Sequence, residues 1–460
     1  MTPPPARLGR GSAARHALAV ALRSLHIAEA IAVACAVFVR ELVRGGAPAG
    51  ARVQRAGGRA LVRLASTLGA TFIKVGQIAS TRADLLPAPL REELVTLQDR
   101  VPPFPFEHAR ETIERDFERP LDALFAAFDE QPVAAASVAQ VHRARLLGSG
   151  EVVAVKVRRP DVLEKVRLDR SILLAVSRLL ERLVPSLRLV SLEEAMRTFC
   201  GAVEEQIHLA NEADHNRRFR ENFADAPDVR FPALVPALCS DAVLTMEFVD
   251  GVREEDLAAR GVDVHRVIEA GMRGVCRMIF RDGFVHADLH PGNLRFRPPH
   301  EIVLLDLGLV GRLEESDRRT TARLFYALAS GDGKTVARLF YALASGDGKT
   351  VARLFYDNAP HRSTPDYTAY EAEIVALVDA VQRRGLANLE ITVEIGRIFD
   401  TLRRHRIQAR SHMTMVNLAM LTAEGLGKRL APDLSLNEEA LPYLADALGL
   451  PRPPRAVSRG

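Results

Sequence analysis

The sequence predicts an α+β fold in which a small strand-rich lobe sits between a helical N-terminal region and a larger helical lobe. Three observations predict it. Between Phe128 and Val157, valine-rich runs alternate in polarity around the turn signal Gly148-Ser149-Gly150, the pattern of an antiparallel hairpin. Helical periodicity dominates on either side of that stretch. Strands followed by helices, rather than alternating with them, mark the segregated α+β class. The chain has 460 residues, 48% hydrophobic and 26% charged, which is globular composition with room for two or three domains and excludes a mainly disordered protein.

The first 120 or so residues read as helices broken at GGAPAG (45–50), LPAPL (86–90) and VPPFPF (101–106). The apolar run Ile27–Val39 is shorter than the roughly 20 residues a bilayer span needs, and it contains Glu29. It is therefore read as an amphipathic or packed helix, and Arg40, Glu41 and Arg44 stand where a cleavable leader would place small residues. VAAASVAQVHRARL and EVVAVKV are the two strands of the hairpin, the second closed by Pro160. A helix follows, then a capping-box pair, Ser191 with Glu194, that opens one helix toward Phe223. AVLTMEFV is a strand ending at Asp250-Gly251, and EIVLLDLGLV (301–310) is an apolar run ending in a glycine turn. ARLFYALASGDGKTV occurs at 322–336 and again unchanged at 337–351, a tandem duplication rather than a solenoid. Its GDGKT is not a P-loop, because Leu328 and Leu343 occupy the required first glycine.

Charge narrows the function classes. The net charge is +4 with no dense basic field, so no nucleic-acid partner is expected. Only six of the 62 basic residues are lysine, and a lysine in an arginine-rich chain marks a place where a compact ammonium is wanted. Cys35, Cys200, Cys239 and Cys276 are scattered without a C-x-x-C pair, which argues against a disulfide framework or a zinc site.

Lys156, inside the strand VVAVKV, is costly to bury unless it meets an anion, and a strand lysine reaching nucleotide phosphates is one solution. Glu212, on a later helix, can pair with it. FVHADLHPGN supplies Asp288 and, five residues on, Asn293, and LLDLG supplies Asp306. That arrangement holds a base near an acceptor and Mg²⁺ on phosphates. The two histidines of H-A-D-L-H do not make a metalloprotease motif, since Ala287 replaces the glutamate. Ala134, Ala135, Ala136 and Ser137 stand where a phosphate loop would be glycine-rich, which predicts a stiffer loop. Lys74, Gly76 and Gln77 make a polar K-V-G-Q run that is hard to explain as core.

In this order, K-V-G-Q with S-T-R-A-D-L-L-P, the alanine-rich loop, VAVKV, HADLHPGN and DLG resemble the UbiB/AarF/ADCK family of atypical, protein-kinase-like proteins. The resemblance covers about residues 50–430. It implies a protein-kinase-like bilobal fold with a family-specific N-terminal helical extension laid over the active site. It also implies a helical region over 1–68, the K-x-G-Q extension over 69–120, an N-lobe over 121–250, a C-lobe over 251–356 and a C-terminal helical region over 357–460. Under it, Lys156 contacts the phosphates of ATP or ADP and Glu212 anchors it, Asp288 takes the catalytic-loop role, and Asn293 and Asp306 hold Mg²⁺. The loop Ala134 to Ser137 covers the phosphates, Met246 to Val249, including Glu247, forms the hinge beside adenine, and Lys74 and Gln77 enter the pocket from the extension. The expected activity is that of an atypical kinase or ATPase supporting isoprenoid-quinone or lipid metabolism. Its expected partners are a nucleotide, a lipid or quinone-precursor ligand and a peripheral contact at the inner face of the cell membrane, from the cytoplasm.

The chain also departs from the family pattern, with Gln206 and His208 where many members carry acids. His208 falls one helical turn before Glu212, so a pH-dependent contact with the site is expected from one continuous helix. Two alternatives stay open: a nucleotide-binding scaffold without turnover, and a small-molecule phosphotransferase of the aminoglycoside or choline kinase type.

Overall fold

The computed structural model describes residues 10–43, 49–81, 86–98, 102–183 and 192–319 and, beyond them, chiefly 366–384, 411–434 and 436–450. The 15-residue duplication lies almost wholly outside the described residues, as does Ser191.

Five helices open the chain: α1 (Arg10–Val43), α2 (Ala49–Leu68), α3 (Ala70–Thr81), α4 (Ala88–Val95) and α5 (Phe106–Phe117). The first is longer than its apolar core suggested. Alanine and arginine are strong helix formers, so the helix runs through the flanking charges, and Leu18–Val43 is long and apolar enough to cross a membrane. Among its described side chains only a narrow stripe with Ala30 and Ala34 is buried, while Leu18, Leu22, Leu25, Val39 and Val43 are exposed. Arg23 anchors it, donating to both oxygens of the fully buried Asp169 at 2.7 and 3.0 Å and to the Leu68 carbonyl at 2.8 Å.

The N-lobe is an antiparallel sheet of β1 (Phe125–Phe128), β2 (Ala134–Ala135), β3 (Ala139–Leu146), β4 (Val152–Arg158), β6 (Leu234–Cys239) and β7 (Val243–Glu247) in the order β1-β3-β4-β7-β6, with β2 on β3. The hairpin read from the valine alternation is β3–β4, with Val141 opposite Lys156, but the run read as its first strand divides, Ala134–Ala135 folding back as a separate strand on Val141 and Gln140. One face of this sheet packs Val153, Val155, Val157 and Val243 against Ala109 and Ile113 of α5. Between β4 and the next sheet strand run α6 (Val162–Leu183), α7 (Leu192–Ile207) and α8 (Leu209–Asn222).

The expected single helix toward Phe223 is two. His208 takes an extended conformation (φ −83°, ψ 97°) between α7 and α8, and its Nδ1 meets Asp241 Oδ1 at 2.7 Å. Arg158 braces the same break, donating to the Asp241 carboxylate at 2.6 Å. His208 is thus engaged by the turn before β7 rather than sharing a helix face with Glu212.

The C-lobe is a helical body carrying short strands. β5 (Val229–Arg230), β10 (Glu301–Leu304) and β9 (Leu294–Arg297) form one sheet, and β8 (Phe284–His286) pairs with β11 (Val310–Arg312). α9 (Val264–Cys276), with an Asp263 N-cap accepting from the Arg266 N–H, runs through the core. Around it close α10 (Tyr367–Arg384), α11 (Ser411–Leu430) and α12 (Leu436–Leu448), joined by one large apolar core that includes Phe280, Phe284, Tyr370 and Leu444. The molecule has the two lobes that the sequence pattern implied, with the helical extension in front.

Candidate active site in the cleft between the lobes

Three elements bring charge together. The pleat of β4 turns Val155 and Val157 into the N-lobe core and therefore sends Lys156 to the opposite face. There its Nζ donates to both oxygens of Glu212, at 2.9 and 2.8 Å, and lies 3.4 Å from Asp306 Oδ2. Burial alone would lower Lys156, but Asp306 and Glu212 outweigh it and hold the ammonium above its ordinary value. Burial raises Glu212 above the usual carboxylate range. Burial also pushes Asp306 up, but Lys156 and Lys74 push it down and prevail. The Asp306 side chain is 39% exposed on the cleft wall, so it is the carboxylate on offer to a ligand.

The aspartate is aimed by backbone. Gly308 N–H donates to Asp306 Oδ1 at 3.0 Å. A Cβ at Gly308 would stand 3.2 Å from that oxygen and 3.5 Å from Glu212 Oε2, a close fit between the two carboxylates. α8 grips the intervening peptide from both sides: Glu212 accepts from the Leu307 N–H, and His215 Nδ1 donates to the Leu307 carbonyl at 2.9 Å.

Across the cleft, β8 ends in the fully buried His286, whose Nδ1 accepts from the Asp288 N–H at 3.0 Å. Desolvation keeps this imidazole neutral by lowering it below its ordinary value. Asn293 Nδ2 donates to the Asp288 carbonyl at 3.0 Å, so its Oδ1 is the end left to a cation. His290 turns to its own loop, accepting from Gly292 N–H at 3.1 Å. Among the described residues no group of three or more His, Cys, Asp or Glu is placed to hold a metal. Asp306 and Asn293 offer two hard oxygens, which fits an ion that keeps waters and phosphate oxygens as its other ligands, as Mg²⁺ does.

The alanine-rich loop is tied down. Ala134 and Ala135 pair with Val141 and Gln140, Ala136 N–H donates to Ala139 at 2.8 Å, and Arg159 Nε donates to the Ala136 carbonyl at 2.9 Å. Ser137 is buried at its base. At the other end of the N-lobe, Arg297 donates to Glu247 at 2.8 Å, so this carboxylate joins the lobes; Val249 follows it, half-buried.

The K-V-G-Q run divides. Lys74 is near enough to Asp306 to lower it. Gly76 lets Leu97 pack against α3, its missing Cβ lying 2.4 Å from Leu97 Cδ1, and Gln77 Nε2 donates to the Leu97 carbonyl at 3.1 Å. Its amide nitrogen is therefore turned to α3's own support. His215 and Arg297 were not among the residues read from the sequence. His215 falls three positions after Glu212, one helical turn, which is the signal that could have found it.

A model of the ABC1 atypical kinase-like domain matches residues 96–340, and one of the UbiB helical domain matches 374–435. The chain belongs to the ABC1 atypical kinase-like family. Two similar proteins are named "Probable protein kinase UbiB": that of Tolumonas auensis, 32% identical over 384 residues (82% of this chain, 68% of that one), and that of Aeromonas hydrophila, 34% identical over 406 residues (86% and 72%). Among solved structures, the complex of Rv3197 with erythromycin from Mycobacterium tuberculosis is similar over 77% of this chain and 90% of that one, at 20% identity and a TM-score of 0.43. The ABC1 match begins at the last turn before α5, and α11 falls within the UbiB helical domain.

Proposed function

We propose that this ABC1 protein binds ATP or ADP with Mg²⁺ in the interlobe cleft and acts on the terminal phosphate as an atypical kinase or ATPase. The observation that supports this reading is the Lys156 ammonium held between Glu212 and Asp306. An ammonium in that place neutralises phosphate oxygens, and Glu212 fixes its position. Lys74 adds a second cation from the extension. Asp306 and Asn293 would hold Mg²⁺, which supplies charge neutralisation on the phosphates when bound. Asp288 takes the proton of the attacking hydroxyl or water as its oxygen bonds to the terminal phosphorus and the bond to the leaving phosphate breaks. The tied alanine loop covers the phosphates with little freedom, and Met246 to Val249 borders the base.

Lys156→Ala and Asp306→Asn are expected to abolish the thermal shift given by ADP with Mg²⁺; an undiminished shift in either overturns the assignment. Lys156→Arg keeps the charge but not the compact point donor, and turnover should fall at least tenfold.

The UbiB name carried by relatives supports a role in ubiquinone or lipid metabolism, and the exposed apolar face of α1 supports contact with a bilayer surface. A scaffold that binds nucleotide without turnover is a second reading. It is favoured by Gln206, buried with an unpartnered amide nitrogen where many members carry an acid, and by His208, occupied by Asp241. Phosphate release measured with and without lipid vesicles separates the two: none in either condition, despite nucleotide binding, selects the scaffold.

A further inference from the structure

Beneath the catalytic loop, between α9, the β9–β10 hairpin and α11, lies a cavity of about 40 Å³. Ile268, Met272, Leu289, Leu294, Ala423 and Leu426 make much of its wall. Thr422 brings the one hydroxyl, and it is already engaged within the protein. A buried water needs two to four polar partners, and this wall offers it almost none, so the space suits a hydrocarbon rather than solvent. Two features keep it from closing. Gly271 and Gly274 remove side chains from the facing turn of α9, where Cβ atoms would meet Ile302 and Val229 at 3.5 and 3.4 Å. Met272 stands against Gly427 of α11, and its flexible thioether can yield to an occupant.

We propose that this cavity is a binding site for the end of an aliphatic chain, and that its occupancy is felt by the catalytic loop. The space is not sealed, so a chain end can enter while a headgroup stays in solvent. Leu289 follows Asp288 and Leu294 follows Asn293, so an occupant touches both ends of the segment 288–293. The site also lies on the seam where α11 of the UbiB helical domain meets the kinase-like core. The binding half of the proposal stands without the nucleotide reading; the transmission half rests on it.

The test uses the full chain and two probes, 1-pentanol for a free aliphatic molecule and laurate for a chain with a charged head. Ala423→Leu fills the space from α11 and lies outside the nucleotide machinery. Either probe should raise the midpoint of thermal unfolding of the parent by a few degrees and leave that of Ala423→Leu unmoved. Pentanol alone identifies a free small aliphatic as the ligand class, and laurate with it a tethered chain; equal shifts in parent and variant, or none in the parent, overturn the site. Should the variant not fold, xenon in a pressurised crystal of the parent decides, and absence of density between Ala423 and Leu294 overturns it. A probe-bound parent should bind ADP with Mg²⁺ at least threefold more or less tightly, and an unchanged affinity overturns the transmission. If the parent binds no nucleotide, the nucleotide reading fails while the thermal and xenon results still judge the cavity.

Discussion

At Gln140 a single amide decides the charge of a buried histidine. Its Oε1 accepts from the Phe104 N–H at 3.0 Å, so its NH₂ faces His142 Nε2 at 2.8 Å. The ring must accept there and carry its proton on Nδ1, which meets the Asp129 carbonyl at 2.8 Å. Protonation would set two donors face to face, and desolvation holds His142 below its ordinary value. The folded state therefore binds fewer protons than the unfolded one, whose histidine titrates near 6.5, and stability should fall as pH drops through that value. We expect a falling unfolding midpoint between pH 7.5 and 5.5. Gln140→Glu, which supplies an acceptor, should flatten the fall; parallel profiles would refute the argument. His215→Ala, leaving the Leu307 carbonyl without its donor, should cost about 1–3 kcal/mol and weaken nucleotide binding, whereas His215→Asn keeps a donor and should restore part of both. The difference between these residues is one of distance along the chain. Lys156, Asp288, Asn293 and Asp306 could be singled out as candidates because each sits in a short motif. The contact of His215 with Leu307 spans 92 positions and shows only when the elements meet.

Among the elements, α3 shows how a polar motif can be mostly structural. Gly76 and Gln77 serve the contact with Leu97, and Lys74 alone is turned to charge in the cleft. Gly76→Ala should destabilise the chain by about 1–3 kcal/mol through overpacking. Because the clash is with the far end of a side chain, Leu97→Ala in the same protein should recover part of it. Denaturant titration of the two single variants and the double variant reads that coupling; strict additivity would mean the two do not meet. β3, β4 and β7 were legible from their valine-rich runs, whereas β1 and β6 at the edges of the same sheet carry no such pattern and were not. The break at His208 was not, because its cause, Arg158 and Asp241, lies in other elements.

At the scale of the molecule, fold class could be read from the order of strands and helices, whereas the reach of α1 could not. The apolar run stops at Arg23 and Arg40, but helical propensity does not. The outward face left by Leu18, Leu22 and Leu25 gives a direct expectation. The protein should sediment with vesicles, and a Leu22→Glu, Leu25→Glu double variant should lose at least tenfold in partitioning while keeping its nucleotide-induced thermal shift. Equal partitioning would assign that face to something other than lipid.

The Arg23–Asp169 pair sets a limit on how far such an encounter can go. Arg23 holds a carboxylate that no water reaches, and separating them would strand the charge at a cost of about 3–5 kcal/mol. A bilayer that took up the outer side of α1 would have to separate this pair before the helix could be drawn through. In such an encounter the pair would tie α1 to α6, which carries Asp169, so that the two helices would meet the surface together.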